Sequence, residues 1–212
     1  MNRRHISLIF GGLLAWVAGE AVLAQTPAPA DLAPRLEGDD MVVGAANAPV
    51  TIIEYASLTC PHCAHFHQTD LPKLKSEYVD KGLVKFVYRD FPLDRVALGA
   101  AQIARCLPPD RYFGFIEVLF KQQEQWASGR DPEAMITRVK QLARLAGLPA
   151  NEADACATSA ERQNQVVAMR FAGEQMFQIR GTPTLIINGK RHDGSTEFAD
   201  LDKLLRPMVG RG

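Results

Sequence analysis

The sequence lacks an excess of charge of either sign. Its 24 basic and 24 acidic side chains cancel across 212 residues, which removes the electrostatic case for nucleic acid or an anionic membrane surface as a partner. It lacks an apolar run long enough for a membrane span: the apolar residues 6–18 fall short of the roughly 20 positions a spanning helix needs. It also lacks a glycine-rich phosphate loop, a Ser-His-Asp arrangement and internal repeats, so nucleotide chemistry, triad hydrolysis and repeat architectures find no support. Cysteine is scarce, with four residues, and only one pair has C-x-x-C spacing. A tetrahedral zinc site of the usual kind would need a second such pair.

What is present begins with an export signal. Arg3, Arg4 and His5 precede the apolar run, and Val22-Leu23-Ala24 offers small or apolar residues for cleavage, the layout of a secretory signal peptide over residues 1–24; an uncleaved anchor is the alternative. Residues 25–37, with Pro27, Pro29 and Pro34, read as a flexible or extended leader, since prolines at that density oppose a long helix. Short of a coiled-coil heptad, this leader gives no means of assembly, and a monomer is expected. Export to the periplasm would place Cys60, Cys63, Cys106 and Cys156 where disulfides persist. Four cysteines allow three pairings, and spacing does not choose among them.

Hydrophobic content of 47% suffices for a packed core, and the length suits one domain with an insertion. Residues 50–56 (VTIIEYA) read as a buried strand. A helical stretch follows over 61–81, kinked or restarted at Pro72 with Thr69 or Asp70 as cap. A second strand, 83–88, returns parallel to the first across that crossover. Helices are expected at 94–107, 110–126, 132–146 and 159–178, then a hairpin of 184–187 and 190–192 around Asn188-Gly189, then a helix over 196–208. The order implies an α/β domain over 38–93 and 179–212, split by a helical insertion over 94–178.

The chemistry concentrates in residues 54–67, EYASLTCPHCAHFH. Cys60 falls where the strand gives way to the helix, and Pro61 suits the first helical turn. A thiolate at Cys60 would meet unsatisfied N–H groups and the positive end of the helix dipole, which lowers its pKa. Cys63 lies almost one turn further in, within reach of Cys60. His62 could add positive charge or a hydrogen bond. Cys60 is expected to be the exposed sulfur. Three readings stay open: a redox dithiol, half of a metal site completed by His65 or His67 (Cys63 and His67 share a helix face at i, i+4), or an inert disulfide. Glu54 interrupts an apolar strand, either buried for a purpose or facing solvent at an edge. Cys106 and Cys156 are either paired or two buried free thiols.

Cys60-Pro61-His62-Cys63 after an apolar strand, followed by a helical block and Gly181-Thr182-Pro183-Thr184, resembles the DsbA family of thioredoxin-fold thiol–disulfide oxidoreductases. The resemblance implies a thioredoxin fold with an inserted helical domain, and an enzyme that introduces disulfides into unfolded or reduced exported proteins. It implies no cofactor or resident metal, and a membrane quinone-linked, DsbB-like partner that reoxidises the dithiol. It assigns Glu54 to a buried position behind Cys63, aiding proton transfer. It makes Thr182-Pro183 a cis peptide facing the dithiol, against the trans prior of an ordinary X–Pro bond, and gives this loop a client-binding role. It favours a structural Cys106–Cys156 disulfide. Thr182 stands where strong oxidases carry valine and isomerase-like relatives threonine, so a disulfide isomerase or reductase is the enzyme alternative. A periplasmic copper- or zinc-binding protein is the other, with His65 and His67 read as surface positions on the active-site helix.

Overall fold

The computed structural model describes residues 40–210; the expected signal peptide (1–24) and leader (25–37) lie outside them. Five strands, β1 (Met41–Val43), β2 (Val50–Ala56), β3 (Val84–Asp90), β4 (Thr184–Ile187) and β5 (Lys190–His192), form one sheet in the order β1-β3-β2-β4-β5. β2 and β3 are parallel, with Glu54 opposite Tyr88, and the other three pairings are antiparallel. The connection between the parallel pair carries α1 (Pro61–Thr69) and α2 (Leu71–Leu74), which continues into one π-helical turn, Lys75–Val79. The β4–β5 turn is Asn188-Gly189, both at positive φ, the geometry for which Asn-Gly is favoured.

Between β3 and β4 the chain is helical: α3 (Arg95–Ala104), α4 (Pro109–Lys121), α5 (Gln123–Trp126), α6 (Pro132–Leu145), α7 (Ala150–Ala157) and α8 (Ala160–Phe177); α9 (Phe198–Met208) closes the fold. This is the mixed sheet with inserted helices that the sequence order implies. Because strand side chains alternate, Ile52, Glu54 and Ala56 of β2 share one face and Ile53 and Tyr55 the other. The first face meets the main core with Phe66, Phe86, Tyr88, Phe115 and Phe120. The second packs with Val87, Phe91, Ile179 and Ile186. Both faces are covered, so the buried positions of β2 are apolar except at Glu54 and the Tyr55 hydroxyl, and polar Thr51 falls at its one half-buried position.

Several elements differ from expectation for identifiable reasons. β3 runs on through Arg89 and Asp90, charges that would be costly in a strand without partners. Arg89 donates to both carboxylate oxygens of Asp40, at 2.7 and 2.8 Å, and to the Tyr55 hydroxyl at 2.8 Å, while Asp90 is paired with Arg105. The expected 110–126 helix divides at Gln122, whose backbone leaves helical geometry. β1 and α7 were not expected; each is too short to show a period. Asp70 does not cap its own helix. Its Oδ1 instead accepts from the N–H of Phe198 at 2.9 Å, at the start of α9.

Cys106, just beyond α3, is disulfide-bonded to Cys156 in α7. The bond closes a loop with a sequence separation of 50, which limits the unfolded chain more than the folded one. Replacing both cysteines with alanine should lower stability by roughly 2–5 kcal/mol, measured by denaturant unfolding, while leaving thiol exchange at Cys60 unchanged.

Candidate active site

α1 begins immediately after Cys60. Pro61 occupies the first turn, and the Cys60 carbonyl accepts from Ala64 N–H at 3.1 Å, so Cys60 is the N-cap residue. No side chain caps this end, which leaves the first-turn N–H groups free to face the sulfur. The loop before it is held from two sides. Gln123 of α5 donates to the carbonyls of Leu58 and Cys60 at 2.8 and 3.0 Å. The Thr59 hydroxyl donates at 2.6 Å to Asp94, the N-cap of α3.

The two sulfurs occupy different environments. Cys60 is 4% exposed and Cys63 is 0% exposed. The expectation of an exposed Cys60 is corrected: it is nearly covered, yet it keeps the only access of the pair. Its pKa is lowered from 9.0 to about 5 by the Cys63 thiol first, and further by the backbone N–H groups of Cys63 and His62, against the opposing effect of burial. Cys63 is pushed well above 9.0 by burial first, then by the Cys60 thiol and the charge of Glu54. His62 acts on Cys60 through its backbone; its side chain is exposed, and the imidazole is not among these causes. Pro61 is likewise exposed.

Opposite the dithiol, the Thr182–Pro183 peptide is cis, and the protonated Cys60 thiol donates to the Thr182 carbonyl at 3.2 Å. Thr182 and Pro183 are half-buried. Glu54 is 0% exposed, which removes the solvent-edge alternative, and its charge is felt at Cys63. His67 is not a surface residue: it is buried, and its Nε2 lies 2.8 Å from Glu54 Oε2. α1 is covered on its far side by α4, whose Phe120 ring sits 4.1 Å from the imidazole. His65 remains exposed, so the two histidines do not converge on the dithiol. Among the described residues no three His, Cys, Asp or Glu side chains are grouped to hold a metal ion.

Gln123 has no local signal in the sequence, and His67 has one that points elsewhere. Gln123 lies 63 positions from Cys60, and nothing local signals its contact. His67 did carry a signal, its i, i+4 spacing from Cys63, but that spacing was read as half of a metal site.

A family profile described as "Thioredoxin" matches residues 36–206. The crystal structure of Wolbachia pipientis alpha-DsbA1 superposes with a TM-score of 0.78 at 27% identity, covering 87% of this chain and 96% of that one. The chain belongs to the thioredoxin family, on its DsbA-like branch. It is also similar to the disulfide bond formation protein D of Bacillus subtilis, 27% identical over 182 residues, 81% of this chain and 76% of that protein. A Rickettsia prowazekii protein, provisionally named a protein-disulfide oxidoreductase, is 32% identical over 175 residues, 82% of this chain. The chain spans 62% of the length of that relative.

The sulfur asymmetry fixes a pH dependence. Between pH about 5 and 9.0 the folded dithiol form holds a Cys60 thiolate that the unfolded chain protonates. The unfolded state then binds the extra proton, so this contribution to the stability of the reduced form rises with pH across that window and is lost below its lower end. Ultraviolet thiolate absorbance of the reduced protein should show one titration near pH 5, absent in Cys60→Ser. Denaturant unfolding should show the reduced wild type losing stability relative to Cys60→Ser as pH falls from 9 to 5.

Proposed function

We propose that the chain is an exported thiol–disulfide oxidase that transfers its Cys60–Cys63 disulfide to reduced client proteins. The observation that carries this reading is the opposed environment of the two sulfurs: a stabilised thiolate at Cys60 beside a buried, disfavoured one at Cys63. A client thiolate attacks Cys60 Sγ, the Cys60–Cys63 bond breaks, and Cys63 leaves with the electron pair and takes a proton. A second client thiolate attacks the client sulfur of the mixed disulfide, and Cys60 leaves as a thiolate. The client gains a disulfide and the protein is left as a dithiol. A low leaving-group pKa speeds the second step, and stabilising the reduced form makes the disulfide a stronger oxidant.

Thr182 and Pro183 are the proposed client-binding loop, its backbone adding to an extended client strand. Clients are unfolded or reduced exported proteins, the compartment is the periplasm, and a membrane quinone-linked protein restores the disulfide. The protein works as a monomer. The isomerase alternative rests on Thr182 alone; the metal-binding alternative loses His67 to its pairing with Glu54.

Cys60→Ser should abolish oxidation of a reduced model protein. Cys63→Ser should accumulate mixed disulfides with clients through Cys60, seen by non-reducing electrophoresis and mass mapping. Trapping through Cys63 in the Cys60→Ser protein would contradict the assignment of roles. Efficient rescue of a scrambled disulfide substrate would move the function to isomerase.

A further inference from the structure

Each cycle moves one proton at a sulfur that water cannot reach. When Cys63 leaves Cys60 it gains a proton, and when it attacks again it loses one, yet Cys63 is 0% exposed. Glu54 is the nearby carboxylate implied for that exchange, but Glu54 is also 0% exposed. A second carrier is required to reach solvent, and the fold supplies one candidate in direct contact.

His67 Nε2 lies 2.8 Å from Glu54 Oε2, both side chains nearly without solvent contact. His67 also borders a cavity of about 510 Å³, with Lys75, Asp80, Glu117 and Lys121 in its wall. A small inner cavity shares His67, Leu71, Lys75 and Glu117 with it. Around the pair lie buried polar atoms that the protein does not satisfy. Glu54 Oε1, His67 Nδ1 and the hydroxyls of Tyr88 and Tyr112 have no hydrogen-bond partner among the described residues. Buried polar atoms grouped in this way are those that internal water bridges. The groups against His67 are Glu54 from β2, Tyr88 from β3, the Phe120 ring from α4 and the Phe66 ring on its own helix, while Lys75 from the π turn and Glu117 from α4 share the wall of the inner cavity with it.

We propose that His67 is the second carrier of the Cys63 proton, passing it between Glu54 and the solvent of the Lys75–Glu117 cavity. The inference rests on the oxidase reading. When the client expels Cys63, His67 gives its Nε2 proton to Glu54 as Glu54 passes one on to the Cys63 sulfur, and His67 Nδ1 takes one from water, so that Glu54 ends as it began. Reoxidation runs the transfers in reverse. His67 acts through Glu54 and touches neither sulfur's reaction partner.

The test is the rate at which the oxidised protein is reduced by a two-cysteine peptide. His67→Gln keeps an amide that can donate to Glu54 but cannot relay a proton, so a purely structural His67 would be rescued by it. The relay predicts slowing on the order of 100-fold, the low end for a positioned proton-transfer group, with the alkylation rate of Cys60 in the reduced protein unchanged. Glu54→Gln and the double variant should be equally slow, since the two residues serve one route. In the unmodified protein, the rate in mixtures of light and heavy water should fall along a curve, as two protons in transit require. A His67→Gln rate within a few-fold of wild type, or a straight line in the solvent mixtures, overturns the relay. Failure of the wild type to exchange with the peptide at all overturns the oxidase reading and the relay together, whereas exchange indifferent to His67 overturns the relay alone.

Discussion

The active site depends on where one helix begins. α1 starts at Pro61, one residue after Cys60, with no side chain occupying its N-terminal N–H groups. One sulfur therefore sits at the helix end, where negative charge is stabilised. The other is carried less than a turn inward, into the core above Glu54. Two chemically identical side chains three positions apart acquire opposite acidities: the Cys63 thiol first, and then the helix-start N–H groups, hold charge on Cys60, while burial disfavours it on Cys63. Proline is the residue that tolerates this position without loss, since its missing N–H has no intrahelical partner there in any case.

The surrounding fold keeps that helix start in place. β2 delivers the chain to the loop, and its pairing with β3 and β4 fixes the direction of approach. The helical insertion is part of the same support. Gln123 holds two carbonyls of the active-site loop and Asp94 holds Thr59. α4 also covers the outer face of α1, with Phe120 against His67. This cover is what keeps the His67–Glu54 pair out of solvent. The cost of enclosing Glu54 there is offset by pairing it with a titratable partner, the usual condition on which buried carboxylates are tolerated.

The sequence made the frame readable where local chemistry decides. The apolar run of β2, the Asn188-Gly189 turn and the Cys60-Pro61 helix start are each set by residues within a few positions, and all three appear as read. The misses share a different cause. His67 was placed on the surface because α1, as a sequence, offers polar residues all round; only its position between the sheet and α4 buries one of them. Asp70 had the chemistry of a local cap, but it caps a helix 128 residues away. β3 was ended at Tyr88 because the partners of Arg89 and Asp90 lie in other elements. In each case a long-range contact changed the meaning of a polar residue that local pattern treats as exposed.

The sulfur asymmetry makes the Cys60–Cys63 disulfide oxidising, and its equilibrium with glutathione reads this out. The Cys106–Cys156 disulfide of the same molecule, in which neither cysteine is the N-cap residue of a helix, is the internal reference. Cys60–Cys63 should become fully reduced in a predominantly oxidised glutathione mixture that leaves Cys106–Cys156 intact. A Cys60–Cys63 disulfide that persists in predominantly reduced glutathione would contradict it.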